Sequence, residues 1–398
     1  MKKILIMHSN MEIGGAETSL LGLLKSIDYS RYSVDLMLLE KSGELINMIP
    51  KEVNLLDSNR RYTALVKPIK DVVKKYSLAI AISRIMAKIV TGLKSKIYKD
   101  VDLCYMIKEY SHKFSMPFLP KIYGKYDLAI SFIDPHFIIQ EKVNSKVKIG
   151  WLHTDFSRIN INGKIDYDMW NSCDYIACVS EACKEAFDKK YPCLEEKSIV
   201  IENILPVEFV KSQSNKEDVS SEIYKSKNEV TICSVGRFSE AKNFDNIPNI
   251  AKRIIESGYN IKWYLIGYGA DEKLIRNKIK EECMENIVIV LGKKINPYPY
   301  IKMCDLYIQP SRYEGKAVTV REAQMLNKPV IITNFSTAKS QLEDKVDGLI
   351  VPIDNQQCAE GIISLIDDYQ LQRKLSDNTR NRDYSNKLEV EKIYKLIK

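Results

Sequence analysis

Apolar runs of strand length alternate with amphipathic segments along the first half of the chain. The run ILIMH at residues 4–8 is typical of a buried strand, and the leucines of the following AETSLLGLLKSI recur at helical spacing. Ser180 is a favourable N-cap for a helix over residues 181–190. Further strands are predicted at Ser33–Leu39, Asp127–Phe132, Val147–Leu152, Asp174–Val179 and Ser198–Glu202.

The alternation stops after Pro206, where the chain becomes polar and loses its periodicity, and it resumes near residue 229. We interpret residues 207–228 as a linker. Beyond it, helices are predicted at Phe244–Ser257, Asp271–Glu282, Pro299–Cys304, Val318–Asn327 and Gln356–Asp368. The strands predicted between them are Val230–Val235, Ile261–Ile266, Ile287–Leu291, Leu306–Gln309, Pro329–Thr333 and Leu349–Val351.

Strand–helix alternation on both sides of a linker predicts an α/β protein with two parallel-sheet, Rossmann-like domains. The expected organisation is a first domain over 1–206, the linker, and a second domain over 229–380. A C-terminal helix over 381–398 is expected to pack back toward the first domain. With 398 residues, each domain is long enough to bury its own core.

Composition narrows the class of protein. No apolar run approaches the roughly 20 residues of a membrane span, and the apolar run in the opening MKKILIMHSN is too short for the core of a signal peptide. The nine cysteines are dispersed, which favours reduced core thiols in a cytoplasmic protein. With four histidines, a multi-histidine metal site is not expected.

The net charge of +8 is concentrated in one segment. Residues 60–125 hold fifteen Lys or Arg against four Asp or Glu, a net +11, so the rest of the chain carries −3. Apolar residues recur there at helical spacing among lysines that include Lys99. Two interpretations stay open: a surface held against anionic lipid, or helices packed on a core with a solvated lysine-rich face. Nucleic acid is not expected, because no recognised motif accompanies the charge.

Candidate chemistry is densest in PSRYEGKAVTVREA, residues 310–323. Glu314 follows a predicted strand and Glu322 lies in the next helix, so both carboxylates can border one cleft and accept sugar or ribose hydroxyls. The amides of Gly315–Val318 open that helix and are suited to phosphate. The alternative is that both glutamates are solvated surface residues.

Basic residues follow another strand in SVGRFSEAKNFD, where Arg237 lies in the turn and Lys242 precedes a helix. Together they can clamp a diphosphate and stabilise the charge that develops as it leaves. Gly267, in the turn after the next strand, either shapes that turn or borders a nucleotide base.

Two places in the first half are weaker candidates. Gly14 and Gly15 let backbone approach a ligand at a helix N-terminus, although a simple turn explains them equally well. His153 and Asp155 follow a strand, where ligands bind in such sheets, but a lone histidine is often structural. The D-x-D triplet at residues 166–168 is taken as incidental.

These motifs resemble those of the family 4 glycosyltransferases. The similarity covers nearly the whole chain and is carried by GGAE, CVSE, ENILP, SVGRFSEAKN, IGYG and PSRYEG…REA. The resemblance implies the GT-B fold, with two domains facing an interdomain cleft, and a nucleotide-sugar donor bound mainly by the second domain. It implies a retaining transfer without metal or other cofactor, in which domain closure excludes water.

The resemblance also implies roles for individual residues. Glu314 would contact the donor sugar, Glu322 the ribose, and Arg237 and Lys242 the diphosphate. The remaining donor-side residues expected are Gly15, Gly267, Gly315, Lys316, Ala317 and Val318. Gly14, His153 and Asp155 are expected on the acceptor side, with His153 near the transferred sugar.

The chain departs from the family pattern E-G-F-G-L-P at four positions, Lys316, Ala317, Val318 and Thr319, and the first two bear on the donor. Ala317 adds a methyl group beside the phosphate, and Lys316 either contacts an acidic sugar or phosphate or points to solvent. The predicted function is transfer from a nucleotide-diphosphate sugar, a UDP-sugar by preference, to a saccharide or lipid-linked acceptor in bacterial cell-surface polysaccharide synthesis.

The predicted location is cytoplasmic and peripheral at the inner face of the membrane, with residues 60–125 as the contact. Two alternatives remain from the sequence. One is a GT-B enzyme of another reaction, such as a nucleotide-sugar epimerase or a phosphorylase. The other is a non-catalytic membrane-associated partner with the same fold.

Overall fold

The computed structural model describes residues 1–97, 101–157, 159, 163–224, 226 and 228–397. Lys99, residues 225 and 227 of the predicted linker, and residue 398 of the predicted C-terminal helix lie outside the described residues. The chain divides into two units, one of residues 1–204 with 387–398 and one of residues 205–386. Each unit has its own parallel sheet, so the predicted α/β class with two parallel-sheet domains is confirmed.

The sheet of the first unit has seven strands in the order β3-β2-β1-β4-β5-β6-β7. Most residues of its strands are buried, as expected where helices cover both faces of a parallel sheet. The strands are β1 Lys2–His8, β2 Tyr32–Leu38, β3 Asn54–Leu55, β4 Ile122–Ser131, β5 Val143–Leu152, β6 Tyr175–Cys178 and β7 Ser198–Val200.

Eight α-helices of the first unit come before residue 204. They are α1 Gly15–Ser26, α2 Arg60–Thr63, α3 Ile69–Asp71, α4 Leu78–Ile97, α5 Leu103–Ser115, α6 Phe137–Lys142, α7 Lys164–Asn171 and α8 Glu181–Lys190. Shorter turns of 3-10 or π-helix lie at Ile46–Met48, Val72–Tyr76, Met116–Phe118 and Pro192–Lys197. As predicted, the Ser180 side chain caps α8, accepting from the amide of Cys183 at 3.2 Å.

The sheet of the second unit has six strands in the order β10-β9-β8-β11-β12-β13. The strands are β8 Val230–Val235, β9 Ile261–Ile266, β10 Val288–Gly292, β11 Leu306–Gln309, β12 Val330–Thr333 and β13 Leu349–Val351. Its α-helices are α9 Val207–Gln213, α10 Ile247–Glu256, α11 Glu272–Glu281, α12 Tyr298–Met303, α13 Val318–Met325, α14 Ala338–Gln341, α15 Asn355–Asp367 and α16 Tyr369–Arg380. Two 3-10 turns, Glu240–Lys242 and Phe244–Asn246, follow β8.

The segment expected to be a linker belongs to the second unit. Helix α9 begins at Val207, and Val210, Val219 and Ile223 are buried in that unit's core at 0%, 4% and 1% exposed. These widely spaced apolar residues are sufficient to hold a polar segment against a core, and they are too few to create a periodic pattern. The segment whose polar composition predicted a linker is therefore packed against the core of the second unit.

The last residues return to the first unit. A 3-10 turn, Lys387–Glu389, leads into α17 Val390–Leu396. The Tyr394 ring stacks on Tyr32 with centroids 4.3 Å apart, and its hydroxyl accepts from the amide of Asp28 at 2.8 Å. Lys2 Nζ donates to the carbonyl of Ile397 at 3.1 Å. The C-terminal segment thus closes the edge where β1 and β2 begin.

Helix α4 has a buried face and, opposite it, an exposed face of large apolar residues. Ile80, Ala81 and Ala87 are fully buried, while the opposite face is apolar and open to solvent. By helical geometry the exposed side chains fall within an arc of about 100°. This apolar face of α4 consists of Leu78, Ile82, Ile85, Met86, Ile89 and Leu93, each between 42% and 61% exposed.

The solvated side of α4 therefore differs from the lysine-rich face that one interpretation expected. Lys88 and Lys96 are exposed on this helix, and Lys74 and Lys75 are exposed just before it. Arg84 is drawn inward, where it donates to the carbonyl of Ala64 at 2.7 Å. In the part of the chain that the structure describes, no helix is both long and apolar enough to cross a bilayer.

Candidate active site

The strand order of the second sheet reverses between β8 and β11, which pair side by side through Ile232 with Leu306 and Cys233 with Tyr307. Ligands of open parallel sheets bind outside the carboxyl ends of the strands at such a switch point. The residues that follow β8 are 236–243, and those that follow β11 are 310–317. The two motifs with the densest candidate chemistry therefore meet at one edge.

Lys242 and Glu314 form a direct ion pair at this edge. Lys242 Nζ lies 2.5 Å from Glu314 Oε1, and the two side chains are only 18% and 11% exposed. Ser311 Oγ donates to the same carboxylate oxygen at 2.6 Å. An ion pair this sheltered is screened less by solvent than a surface pair. The structure thus joins a cation and a carboxylate that are 72 residues apart in the chain.

A chain of buried hydrogen bonds supports Ser311. Gln309 Nε2 donates to Ser311 Oγ at 3.0 Å. Gln309 Oε1 accepts from Tyr307 at 2.8 Å and from Thr319 at 3.3 Å. Tyr307, Gln309 and Ser311 are fully buried, so the chain fixes the hydroxyl that in turn holds Glu314.

Arg312 ties the two loops together, and its role was not anticipated from the sequence. Its guanidinium makes a two-point contact with Asp245, at 2.9 Å to Oδ1 and 2.7 Å to Oδ2. It also donates to the carbonyl of Glu240 at 2.6 Å, and its backbone amide donates to Ala241 at 2.8 Å. Such forked pairs fix orientation as well as distance. The only signal in the sequence was the position of Arg312 inside the SRYEG motif.

Arg237, the other predicted phosphate ligand, is exposed at the end of β8. Its side chain has no polar partner among the residues that the structure describes. It does not join the Lys242–Glu314 pair. Its guanidinium is therefore available to an anion arriving from solvent.

Glu322 lies in α13 and is 3% exposed. Tyr298 donates a hydrogen bond to its Oε1 at 2.9 Å. Burial raises the pKa of Glu322 to about 7, although the bond from Tyr298 acts in the opposite direction. Glu322 is therefore a buried carboxyl that titrates near neutral pH and not a solvated helical residue.

The loop between Glu314 and α13 differs from the open row of amides that was expected. The amide of Ala317 already donates to Gln341 Oε1 at 2.7 Å, and Gln341 Nε2 donates back to the Ala317 carbonyl at 3.2 Å. Ala317 is thus not an available phosphate donor in this structure, and that prediction is corrected. Lys316 is 9% exposed, so the solvent-pointing interpretation of its side chain is wrong.

The other donor-side residues take backbone positions. Gly315 lies in this loop, and Val318 is the first residue of α13. Gly267 has a φ of +152°, and a Cβ there would lie 1.9 Å from the carbonyl oxygen of Gly236. The turn after β9 therefore needs glycine in order to pack against the loop after β8, whatever it binds.

In the first unit, Gly14 and Gly15 shape the start of α1. Gly14 has an extended backbone, with φ at −172°, and Gly15 is the first residue of the helix. A Cβ on Gly14 would lie 2.3 Å from Glu17 Oε2. Glu17 Oε1 in turn accepts from His8 Nε2 at 3.1 Å. The glycine thus leaves room for a carboxylate that contacts a buried histidine, which the sequence did not indicate.

His153 lies against the rings of Phe132 and Trp151. Its Nε2 is 2.8 Å from the carbonyl oxygen of Phe132, so Nε2 carries the proton and donates. Burial lowers the pKa of His153 to about 4, which keeps the ring neutral at physiological pH. Nδ1 is then a hydrogen-bond acceptor.

Asp155, predicted for the acceptor side, is a buried residue of the first unit. It is 1% exposed, and its Oδ1 accepts from the amide of Ser157 at 2.9 Å, so it stabilises the loop after β5. The two aspartates of the D-x-D triplet lie in different surroundings. Asp166 is buried and accepts from Trp170 Nε1 at 3.2 Å, whereas Asp168 is exposed and pairs with Lys164.

Comparison with known proteins finds a family match in the second unit. Residues 215–382 match the family described as Glycosyl transferases group 1. The capsular polysaccharide biosynthesis glycosyltransferase CapM of Staphylococcus aureus is 29% identical over 179 residues, which cover 44% of this chain and 47% of CapM. The N-acetylgalactosamine-N,N'-diacetylbacillosaminyl-diphospho-undecaprenol 4-alpha-N-acetylgalactosaminyltransferase of Campylobacter jejuni is 27% identical over 153 residues, 38% of this chain and 41% of that enzyme. The chain thus spans about half the length of the curated relatives it matches.

Solved structures match both units. TarM of Staphylococcus aureus, crystallised with fondaparinux, alpha-GlcNAc-glycerol and UDP, has a TM-score of 0.70 at 14% identity, covering 100% of both chains. HepE of Anabaena in complex with UDP-glucose has a TM-score of 0.67 at 18% identity, covering 99% of this chain and 100% of that one. These likenesses confirm the predicted GT-B fold.

Proposed function

We propose that this chain, whose residues 215–382 belong to the group 1 glycosyl transferases, moves a sugar from a UDP-sugar to a saccharide or lipid-linked acceptor with retention of configuration. The observation that carries the proposal is the Lys242–Glu314 pair at the switch point of the second sheet. Relatives named for capsular polysaccharide and undecaprenol-linked sugars support an acceptor in cell-surface polysaccharide synthesis. The neighbours crystallised with UDP and UDP-glucose support the choice of nucleotide.

Charge complementarity supports a diphosphate beside Lys242. In the free protein the Lys242 ammonium pairs with Glu314, and Arg237 is exposed nearby along the same loop. An arriving diphosphate would draw on both cations, and they would stabilise the charge that grows as the bond to the sugar breaks. Glu314, held by Ser311, would then accept hydrogen bonds from sugar hydroxyls.

The proposed reaction balances without a metal or other cofactor. The bond between sugar C1 and the diphosphate oxygen breaks through an oxocarbenium-like state, and a bond from the acceptor oxygen to C1 forms on the same face. The acceptor proton passes to the departing phosphate, so the products are the glycoside and UDP. Lys242 and Arg237 supply the positive charge that a metal ion supplies in other transferases.

The buried carboxyl of Glu322 is the group that we propose to contact the ribose of the donor. A buried carboxyl with a pKa near 7 can accept from ribose hydroxyls when it is ionised. The hydroxyl of Tyr298 at 2.9 Å holds its orientation. We propose that UDP binding favours the ionised form of this group.

A panel of nucleotide sugars tests the proposed function. Donors carrying UDP, GDP or ADP are added to the intact protein, and the unfolding temperature is measured. A UDP-sugar is expected to raise it most, and the same donor is expected to yield a glycoside and UDP when lipid-linked or soluble saccharides are added. EDTA is expected to leave the rate unchanged. Conversion of the donor to an epimer without transfer, or phosphorolysis, would contradict the proposal.

The apolar face of α4 supports attachment to a membrane. Its large side chains lie on one side of the helix, flanked by exposed lysines in a segment with a net charge of +11. Apolar side chains between basic ones are typical of helices that lie in the interface of anionic bilayers, where each basic residue contributes about 1 kcal/mol. We propose that α4 lies at the cytoplasmic face of the membrane and presents the first unit to a lipid-borne acceptor.

Sedimentation with vesicles rich in phosphatidylglycerol tests this attachment. The double variant Ile85→Ser/Ile89→Ser is expected to bind about tenfold less tightly than the parent, because two half-exposed aliphatic side chains no longer enter the interface. The matched control is Leu274→Ser/Ile295→Ser, which removes two exposed aliphatic side chains from the second unit. Equal losses in both variants, or no binding of the parent at low salt, would reject the proposal.

A further inference from the structure

The Glu314 loop, residues 310–317, lies against a segment that follows β12. This α14 segment, residues 334–342, includes the single helical turn α14. Three of its apolar side chains are buried in the core of the second unit, at 3%, 2% and 4% exposed: Phe335, Ala338 and Leu342. Ala317, at the end of the Glu314 loop, belongs to the same core. The α14 segment is therefore a fixed support for the polar groups that it presents to the loop.

Gln341, the last residue of α14, contacts both backbone groups of Ala317. Its Oε1 accepts from the Ala317 amide at 2.7 Å, and its Nε2 donates to the Ala317 carbonyl at 3.2 Å. Gln341 and Ala317 are 1% and 2% exposed. The carbonyl also accepts from the amide of Val320 at 3.2 Å, as expected at the start of a helix. The loss of Gln341 would therefore fall mainly on the Ala317 amide, and a buried amide without a partner is costly.

Two threonines hold the rest of the loop by contacts of the same kind. Thr337 Oγ1, in the α14 segment, donates to the carbonyl of Glu314 at 2.8 Å, and Thr333 Oγ1, at the end of β12, donates to the carbonyl of Ser311 at 2.5 Å. Both threonines are buried, at 2% and 1% exposed. These contacts go to backbone atoms, so the carboxylate of Glu314 keeps its pair with Lys242. The loop is thus held near its start, at Glu314 and at its end.

We propose that Gln341 is a positioning residue for the donor, because it fixes the end of the loop from which Glu314 would meet the sugar. Its side chain is buried against Ala317, so it acts through the loop and not by touching the donor. Groups aimed at a reacting bond act only in the correct geometry, and a displacement of about 1 Å can cost about 100-fold in rate. The inference rests on the proposed function and extends it to a residue outside the donor loops.

Gln341→Leu tests this role with a side chain of similar size that neither accepts nor donates. Its kcat/KM for the UDP-sugar is expected to fall about tenfold, the effect of one buried amide left without a partner. In the free protein, peptides that cover residues 311–318 are expected to exchange their amide hydrogens faster, as measured by mass spectrometry. The exchange measurement needs no donor, so it tests the contact independently of the reaction.

Gln324→Leu is the matched control for that variant. Gln324 is 0% exposed in α13, where its Nε2 donates to the carbonyl of Asp347 at 2.9 Å and its Oε1 accepts from Arg321 at 3.2 Å. It also makes one donated and one accepted bond, but to groups outside the Glu314 loop. The two variants are expected to have similar unfolding temperatures, while only Gln341→Leu loses kcat/KM and slow exchange at residues 311–318.

Gln341→Glu distinguishes positioning from stability by its pH dependence. The protonated carboxyl can accept from the Ala317 amide and donate to its carbonyl, as the glutamine does, whereas the ionised carboxylate can only accept. Burial raises the pKa of such a carboxyl above its usual value. Relative to the parent at each pH, the kcat/KM of this variant is expected to be about tenfold lower at pH 8 and to recover to within about twofold at pH 5.5. Taking the ratio to the parent removes the titration of Glu322.

Three results would overturn the inference: unchanged exchange at residues 311–318 in Gln341→Leu, an equal loss of kcat/KM in Gln324→Leu, or no recovery of Gln341→Glu at acid pH. A parent protein that neither binds nor uses a UDP-sugar would contradict the proposed function and with it the positioning role. The exchange measurement would still report on the contact between Gln341 and Ala317, so the two failures are distinguishable.

Discussion

The two sheets reverse their strand order at equivalent places, and the side chains that follow those strands differ in charge. After β8 and β11 stands an ion pair, Lys242 with Glu314, with the exposed Arg237 beside it. At the carboxyl ends of β1 and β4, His8, Ser131 and Asp134 line a small pocket, and Asp134 pairs with Lys108 at 3.6 Å. The edge of the second sheet thus has an exposed arginine beside its ion pair, whereas the equivalent edge of the first sheet holds the buried His8 and Ser131.

The two units also differ in the contacts that fix the loops after their strands. The loops of the second unit are fastened to one another by the forked contact between Arg312 and Asp245. In the first unit, the residues after β4 and β5 are held by aromatic packing instead, since His153 lies against the rings of Phe132 and Trp151. The two units therefore hold these loops by different means, charged contacts in one and packed rings in the other.

Lys242→Ala is expected to lower the activity more than any other substitution considered. Removing a cation aimed at the departing diphosphate is expected to lower kcat about 100-fold or more, by analogy with the loss of one preorganised donor. Lys252→Ala is the control, since Lys252 forms a comparable pair with Glu282 at 3.0 Å in the same unit. Steady-state release of UDP measures both. An equal loss of rate in Lys252→Ala would show that Lys242 has no special role in the reaction.

Glu322→Gln should change how stability depends on pH. The pKa of Glu322 is raised in the folded protein to about 7, from an ordinary value of 4.5, so the folded state holds the proton more tightly than the unfolded state. Its contribution is complete below pH 4.5 and is lost as pH rises through 7, a decrease of at most about 3 kcal/mol. Glu322→Gln removes this decrease.

Unfolding in urea between pH 5 and pH 8 measures that slope. Glu285→Gln, an exposed carboxyl in the same unit, serves as the control and is expected to leave the slope of the parent unchanged. Identical slopes for the parent and Glu322→Gln would contradict a carboxyl that titrates near neutral pH. UDP affinity measured over the same range is expected to rise with pH in the parent alone.

Arg312→Lys should have a smaller effect. A lysine can contact Asp245 at only one point, so the loop that carries Glu314 is expected to loosen. We expect a loss of about 1 kcal/mol in unfolding free energy and about fivefold in kcat/KM for the donor. Arg276→Lys, which breaks the exposed pair with Glu272, makes the same substitution where no loop is held. Equal kinetics for the two variants would show that Arg312 does not position the site.

Local patterns in the sequence were sufficient for most elements and for the residues of the second unit's site. Strands β8, β9 and β11 have their predicted bounds, because continuous apolar runs at strand length are read directly from the chain. Glu314 and Lys242 stood out because each follows such a strand. What brings them together is the pairing of β8 with β11, which a single sequence shows only through resemblance.

Long-range side-chain pairs could not be read from the sequence. Gln341 accepts a hydrogen bond from the amide of Ala317, 24 positions earlier, and Tyr298 donates one to Glu322, 24 positions later. No sequence pattern predicts which glutamine or tyrosine makes a contact at that separation. The small pocket of the first unit was not predicted for a similar reason. One of its lining residues, His112, lies in α5, which the sequence indicated only as part of a basic amphipathic segment.

His153 belongs to the first unit and is expected to have the smallest effect on the rate when it is replaced. Because its pKa is lowered to about 4 by burial, His153 does not change charge between pH 6 and pH 8, and it acts there as a neutral group. His153→Gln keeps an N–H that can donate to the Phe132 carbonyl, so we expect the transfer rate to fall no more than about threefold. The rate profile between pH 6 and pH 8 should keep its shape. A profile that loses a limb near pH 6.5 in the variant would instead make His153 a proton-transfer group.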